Sequence, residues 1–350
     1  MIKKSNIFAF ELSGEHSTIP ISEVFACLCI ENINFKEVKS FDQCLIVEIE
    51  SDANINKKLN LISKRLSMTH KIIKVIGICK NNLDCIFDLI NHSNLDSYIS
   101  SNESFAVRVK QIKDKYGIHG ANLERDSGAI IYKKYNCYVN LKNPNKEFRF
   151  ILTDNCVFGI LVASINRSAY MARAPHKKKF FYPGVLMPTL ARALVNISKI
   201  KPGEKIFDPF CGTASILIEA GLCGANVIGL DIQSKIIKGA KMNFDECNLD
   251  FSLFVGDACF FPLKTNSIDG IVTDPPYGRS ALIKAKSLNQ LYIKSFEEMK
   301  RVLKPGKLLI IVSDRNIIEF AKATGFKVLE KHHQRVHKSL TRIILVLQNS

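Results

Sequence analysis

Four aspartates in the second half of the chain each follow a short apolar run: Asp208 in DPFCGTA, Asp231, Asp257 in GDA and Asp274 in TDPPYG (Thr273 to Gly278). The last has the sharpest chemical content. Pro275 and Pro276 fix φ and carry no amide hydrogen, so they make a rigid turn with carbonyls available as acceptors. An amino group conjugated to a purine is a poor nucleophile because its lone pair is delocalised. Asp274 and the Pro275 carbonyl, each accepting one N–H, would hold such a nitrogen with its lone pair aimed at an incoming methyl, a gain from orientation and charge stabilisation. Tyr277 would stack on the base. Asp274, Pro275, Pro276 and Tyr277 are therefore the catalytic candidates.

Asp231 lies 23 residues after Asp208, the separation at which nucleotide-binding folds place an acid on ribose hydroxyls. Asp257 could accept from an adenine amino group while Ala258 offers its backbone. Gly212 lets backbone approach a ligand, and Thr213 is suited to cap the following helix. Any one of these acids alone fits a turn or a helix cap equally well; four at strand ends favour a ligand. The loop is not G-x-G-x-x-G, and no Walker-type glycine loop occurs.

These residues need a scaffold, and the pattern around them supplies one. Strand-like runs Lys205–Phe207, Asn226–Leu230, Phe251–Val255, Ile268–Thr273 and Leu308–Val312 alternate with helical stretches Thr213–Cys223, Ser234–Cys247, Leu288–Leu303 and Asn316–Ala323, followed by strands Lys327–Lys331 and Thr341–Leu347. That rhythm predicts an α/β, doubly wound, mostly parallel sheet with ligands at the carboxyl ends of its strands. A helical stretch, Val185 to Ile200, leads into it.

The first half reads differently. Residues 1–51 form a small α+β domain with a helix near Ser22–Asn32 and a strand at Cys44–Ile49, and Asn56 onward is helical and basic, ending in strand Ile72–Ile78. Phe105 to Lys110 (FAVRVK) alternates apolar with basic residues, the period of a half-solvated strand. A helix over Gly120–Tyr135, a strand at Tyr138–Leu141, an Asn143-Pro144 turn and a strand at Glu147–Leu152 follow. Residues 163–184 have little period and read as a basic linker; the run Lys177–Lys179 is either a solvated face or a phosphate contact. His332, His333 and His337 lack a completing ligand and read as a surface element, so no metal is expected.

At 350 residues the chain has room for two or three domains. It is 47% apolar and 23% charged, an ordinary globular balance that excludes disorder. The net charge is +16, which favours a polyanionic partner, and the excess is greater in residues 176–350 (net +11) than in 1–175 (net +5). Eleven cysteines with no Cys-x-x-Cys pair read as buried reduced thiols of a cytoplasmic protein. The N-terminus is too short in apolar residues for a signal peptide, and no run approaches the ~20 residues of a membrane span.

FAVRVK, LERDSGAIIYKKY, YVNLKNPNKEFRF and CVFGILVA resemble a THUMP domain, an RNA-binding module, over residues 52–162. DPFCGTA, the acid after the second strand, GDA and DPPYG resemble a Rossmann-like S-adenosylmethionine-dependent amino-methyltransferase over 185–350. Ala214 stands where such enzymes commonly have Gly, so a slightly altered loop is expected. Joined by the linker with FFYPG and the helix LARALVNI, the halves resemble the archaeal tRNA (guanine-N2) methyltransferases acting at position ten, across nearly the whole chain. The resemblance implies S-adenosyl-L-methionine as cofactor, held by Asp208, Phe210, Gly212, Thr213, Asp231, Ile232, Asp257, Ala258 and Asp274; guanine at Asp274 to Tyr277; and tRNA as partner. It implies one or two methyl transfers. A monomer is expected, with room for a small activating protein. Alternatives are the same chemistry at another tRNA position or in ribosomal RNA, DNA adenine-N6 or cytosine-N4 methylation, and a non-catalytic RNA-binding protein.

Overall fold

The computed structural model describes residues 6–50, 52–113, 117–277 and 287–350, which divide into two units. In chain order the elements of the first part are β1 (Ile7–Leu12), α1 (Ile19–Ile30), β2 (Phe35–Phe41), β3 (Cys44–Ile49), α2 (Ile55–Arg65), β4 (Thr69–Cys79), α3 (Leu83–His92), β5 (Ser104–Gln111), α4 (Gly120–Tyr135), β6 (Tyr138–Val139), β7 (Lys146–Leu152) and β8 (Cys156–Ser164).

The first unit is built on one eight-stranded sheet, ordered β2-β3-β1-β4-β8-β7-β5-β6. The boundary expected at residues 51/52 falls inside it, because β1 pairs antiparallel with both β3 and β4. One end of the sheet is filled by Phe105, Phe148, Phe150 and Phe158, with the Phe150 and Phe158 rings stacked at 4.6 Å. Ile86 and Ile90 of α3 and Leu123 and Ile131 of α4, spaced to share a helix face, pack on the same cluster. Gly159 in β8 is required by close approach: a Cβ there would lie 2.4 Å from the Lys74 carbonyl oxygen.

The second unit comprises Arg167–Ser350 together with Ser22–Ile30 of α1 and Arg65–Met68. Its further elements are α5 (Ser168–Ala172), α6 (Pro188–Ile197), β9 (Lys205–Asp208), α7 (Ser215–Gly221), β10 (Asn226–Asp231), α8 (Ser234–Glu246), β11 (Ser252–Val255), β12 (Ile268–Thr273), α9 (Leu288–Val302), β13 (Leu303–Ser313), α10 (Ile318–Ala323), β14 (Phe326–His337) and β15 (Leu340–Asn349). The strand order is β11-β10-β9-β12-β13-β15-β14. Strands β9 to β13 run parallel, and β15 lies antiparallel between β13 and β14. This is the doubly wound sheet expected from the alternation, closed by an antiparallel hairpin.

A buried polar knot fastens the two early segments into this unit. The Glu23 carboxylate accepts from the Ser67 amide (2.9 Å) and hydroxyl (2.7 Å), the Met68 amide (2.9 Å) and the Asn196 side chain (2.8 Å). Arg65 donates to Asn196 (2.9 Å) and to the Ile200 carbonyl (2.7 Å). Burial raises the Glu23 carboxyl while these donors oppose the shift.

All eleven cysteines are free thiols. Six are buried, but Cys29 is exposed and four others are half-buried, which corrects the expectation of uniform burial. Among the described residues no helix is long and apolar enough to cross a membrane.

Candidate active site

The chain leaves β9 outward through β10 and β11, then returns to β12 on the other side of β9. A crevice opens at such a reversal, at the carboxyl ends of the strands. A cavity of about 380 Å³ lies there, lined by all twelve residues singled out from sequence: Asp208, Phe210, Gly212, Thr213, Asp231, Ile232, Asp257, Ala258, Asp274, Pro275, Pro276 and Tyr277. The four aspartates stand at the ends of four laterally adjacent strands. Gly278, the last residue of the motif, lies outside the described residues.

Asp208 and Asp274 flank the reversal. Asp208 is 1% exposed and accepts from the Thr273 hydroxyl (2.6 Å) and the Phe210 amide (3.0 Å). Burial, reinforced by Asp274 and Asp231, pushes its carboxyl up to about 7 against those two hydrogen bonds. Asp231 accepts from the Gly212 amide (3.2 Å) and the Gln233 amide (2.9 Å), so it holds the glycine loop as well as facing the cavity. Asp257 accepts from the Cys259 amide (2.9 Å). Asp274 receives the Tyr277 hydroxyl at 2.6 Å. Burial pushes Asp274 up to about 6, the Arg342 charge and the Tyr277 bond opposing it.

The loop after β9 makes two left-handed residues, Gly212 (φ +50°) and Ala214 (φ +66°). Ala214, not Thr213, is the N-cap of α7, and no side chain caps it. The expected Thr213 cap is thus corrected: the left-handed turn carries the chain into the helix one residue later, and the Thr213 carbonyl instead accepts from Asn243 of α8 (3.1 Å).

Sequence reasoning missed part of the wall. Tyr182 to Gly184, read as the end of a linker, and Val185 and Leu186, read as the start of a helix, line the cavity, as does Arg342 of β15. Arg342 is 8% exposed and donates to the Tyr277 hydroxyl (3.3 Å) and the Gly184 carbonyl (3.2 Å). A signal existed, since an arginine inside an apolar strand is rarely buried without a task. The preceding segment is also not loose. Phe180 exchanges hydrogen bonds with the Asn243 side chain (3.0 and 2.9 Å). Lys178 turns inward to donate to Ser215 at the start of α7 (2.8 Å), and burial pulls its ammonium down to about 8. Lys177 and Lys179 are exposed.

The expected histidine surface element is corrected in part. His332 is 5% exposed with its Nε2 3.1 Å from the Glu330 carboxylate, whereas His333 and His337 are exposed. Successive residues of a strand face opposite sides, and His332 falls on the covered face of β14 while His333 falls on the open one. Among the described residues no group of His, Cys, Asp and Glu is placed to hold a metal.

A methyltransferase-domain family described as RMKL-like matches residues 175–344, and a DNA methylase family matches residues 22–242, a span that stops short of Asp274. The tRNA (guanine(10)-N2)-dimethyltransferase of Methanothermobacter thermautotrophicus is 33% identical over 96% of this chain and 98% of its own length. That of Methanocaldococcus jannaschii is 32% identical over 97% and 99%. Among solved structures, TrmN from Thermus thermophilus superposes with a TM-score of 0.56 at 18% identity, covering 98% of this chain and 99% of that one, and shares the fold. With full-length identity above 30%, the chain belongs to the tRNA (guanine(10)-N2)-dimethyltransferase family.

Proposed function

We infer that this chain methylates the 2-amino group of guanosine 10 in tRNA, once and then a second time, with S-adenosylmethionine as donor. The observation that carries the reading is the placement of Asp274 to Tyr277 in the same cavity as Asp208 and Asp231, on either side of the strand reversal, in a chain of this family.

The cavity fits the cofactor. Its volume of about 380 Å³ lies within the range of small-molecule sites, about 300–1,000 Å³. Gly212 presents bare backbone, with no atom closer than 4.0 Å to where a Cβ would stand. The Asp231 carboxylate accepts from the Gly212 and Gln233 amides and keeps a lone pair for a ribose hydroxyl. Asp257 and the Ala258 backbone suit an adenine edge, with Phe210, Thr213 and Ile232 completing the wall. The bound cofactor supplies an electrophilic methyl on a sulfonium.

Asp274 and the Pro275 carbonyl accept the two N–H groups of the guanine amine, and the Tyr277 ring packs on the base. The nitrogen lone pair forms the new N–C bond as the C–S bond breaks, leaving a neutral thioether. Positive charge then sits on the nitrogen beside Asp274, which stabilises it until a proton departs to solvent. A first methyl leaves one N–H for Asp274 to hold during the second transfer. We assign residues 52–162, with 1–51, to holding tRNA by backbone and shape, and 185–350 to the transfer, reached by the 163–184 segment. The target guanine leaves its stack to enter.

Replacing Asp274 by Ala tests the reading. Loss of one transition-state partner is expected to slow single-turnover transfer to a tRNA transcript by about 10²-fold or more, with tRNA affinity unchanged. A near-normal rate would remove Asp274 from the chemistry.

A further inference from the structure

We propose that Arg342 is a positioning residue for the transfer: from β15 it holds the Tyr277 hydroxyl and the Gly184 carbonyl and presents its positive charge to Asp274. The proposal rests on the reading of the site given above. Arg342 is 8% exposed, yet among the described residues no carboxylate pairs with it directly; its hydrogen bonds go to Tyr277 Oη (3.3 Å) and Gly184 O (3.2 Å). A buried cation without an ion pair costs several kcal/mol unless its field is used. Here it lines the cavity, and the acid it acts on is Asp274.

The arrangement is a relay. Arg342 Nε donates to Tyr277 Oη, and that hydroxyl donates onward to Asp274 Oδ1 at 2.6 Å. The Tyr277 hydroxyl therefore both accepts and donates, which holds its ring at the cavity wall. The Gly184 bond fixes the segment carrying Tyr182 to the same guanidinium, so one side chain sets the spacing between two walls of the site.

Among the described residues, Arg342 is the cation whose charge favours the Asp274 anion. Asp208 at the end of β9 interacts with it as a like charge, and Asp314 after β13 raises it. Tyr292 of α9 is neutral, its hydroxyl raised by burial. Arg315 is neutralised by Asp314 at 2.8 Å and donates to the Tyr277 carbonyl at 3.0 Å. With Arg342 removed, burial and the like charge of Asp314 act on Asp274 opposed, among the described residues, by the Tyr277 hydrogen bond. A protonated Asp274 is half-occupied by its own hydrogen and holds the amine poorly.

The test uses the full chain with Arg342→Gln and Arg342→Lys, following single-turnover methylation of a tRNA transcript from pH 5.5 to 9.5, with thermal melts and tRNA affinity measured alongside. The acid limb of the rate for Arg342→Gln is expected to move up by about one to three pH units, so that the defect is large near neutrality and shrinks at high pH. Arg342→Lys, which keeps the charge, is expected to return the limb towards wild type. A loss equal at every pH, or a Gln variant that no longer folds, would assign Arg342 a structural role, and no loss would assign it none; each overturns the proposal. Wild-type protein that methylates no tRNA guanine would instead refute the functional reading, before Arg342 is judged.

Discussion

Asp208 and Asp274 stand at the ends of adjoining strands with their carboxyls pushed up by burial to about 7 and about 6, so each answers to pH differently from an exposed acid. For Asp208 the consequence is one of stability. Its folded value lies above the unfolded one near 3.8, so the native state binds the extra proton. Stability therefore falls as pH rises from about 4 to about 7 and stays reduced above that. Asp208→Asn keeps an acceptor for Thr273 and Phe210 without the charge. Its melting temperature in the absence of cofactor is expected to exceed wild type at pH 8, each pKa unit being worth about 1.4 kcal/mol, and the gap is expected to close towards pH 5. Equal destabilisation at both pH values would show that the buried charge is not penalised. The placement of these acids at strand ends was legible because their spacing followed the strands. Their mutual repulsion and the Thr273 and Tyr277 partners were not, since these depend on which strands lie side by side.

The element that most changes its meaning in three dimensions is the segment before α6. As sequence it has no period and many basic residues. In the fold, Phe180 is seated on α8, where a Cβ at Gly239 would lie 2.1 Å from its ring, and Asn243 bridges the segment to the Thr213 carbonyl of the loop after β9. A helix-interior Gly→Ala change ordinarily gains about 0.5–1 kcal/mol. Gly239→Ala is instead expected to destabilise by about 1–3 kcal/mol through overpacking, with Phe180→Ala in the same chain relieving most of the loss. A thermal melt showing stabilisation by Gly239→Ala alone would contradict the seat. Period carried well elsewhere: α4 spans the expected Gly120–Tyr135 and β12 the expected Ile268–Thr273. Helix α3 went unread although Asn82 caps it by accepting from the Cys85 amide and Ile86 and Ile90 share a buried face; at ten residues it is at the short end of the lengths by which a helix is told from a strand.

For the molecule as a whole, net charge and alternation were enough to see an α/β unit and a basic chain suited to a polyanionic partner, whereas the membership of Ser22–Ile30 and Arg65–Met68 in the second unit was not visible. Glu23 and Arg65 look like surface charges in the sequence, yet both are buried in the second unit, linked through Asn196. Only tertiary neighbours 131 and 173 residues away reveal that. Likewise residues 1–51 supply strands to the same sheet as the THUMP-like segment, because edge pairing is settled by register rather than by composition. On the function proposed above, the Asp274 cavity methylates one guanine of tRNA. The most direct test of that function is nucleoside mass spectrometry of an unmodified tRNA transcript incubated with the protein and labelled S-adenosylmethionine, with the modified position mapped. N2-methylguanosine and its dimethyl form at position ten are predicted. Label at another guanine would move the target within the tRNA, and no label in tRNA alongside label in ribosomal RNA or DNA would contradict the account.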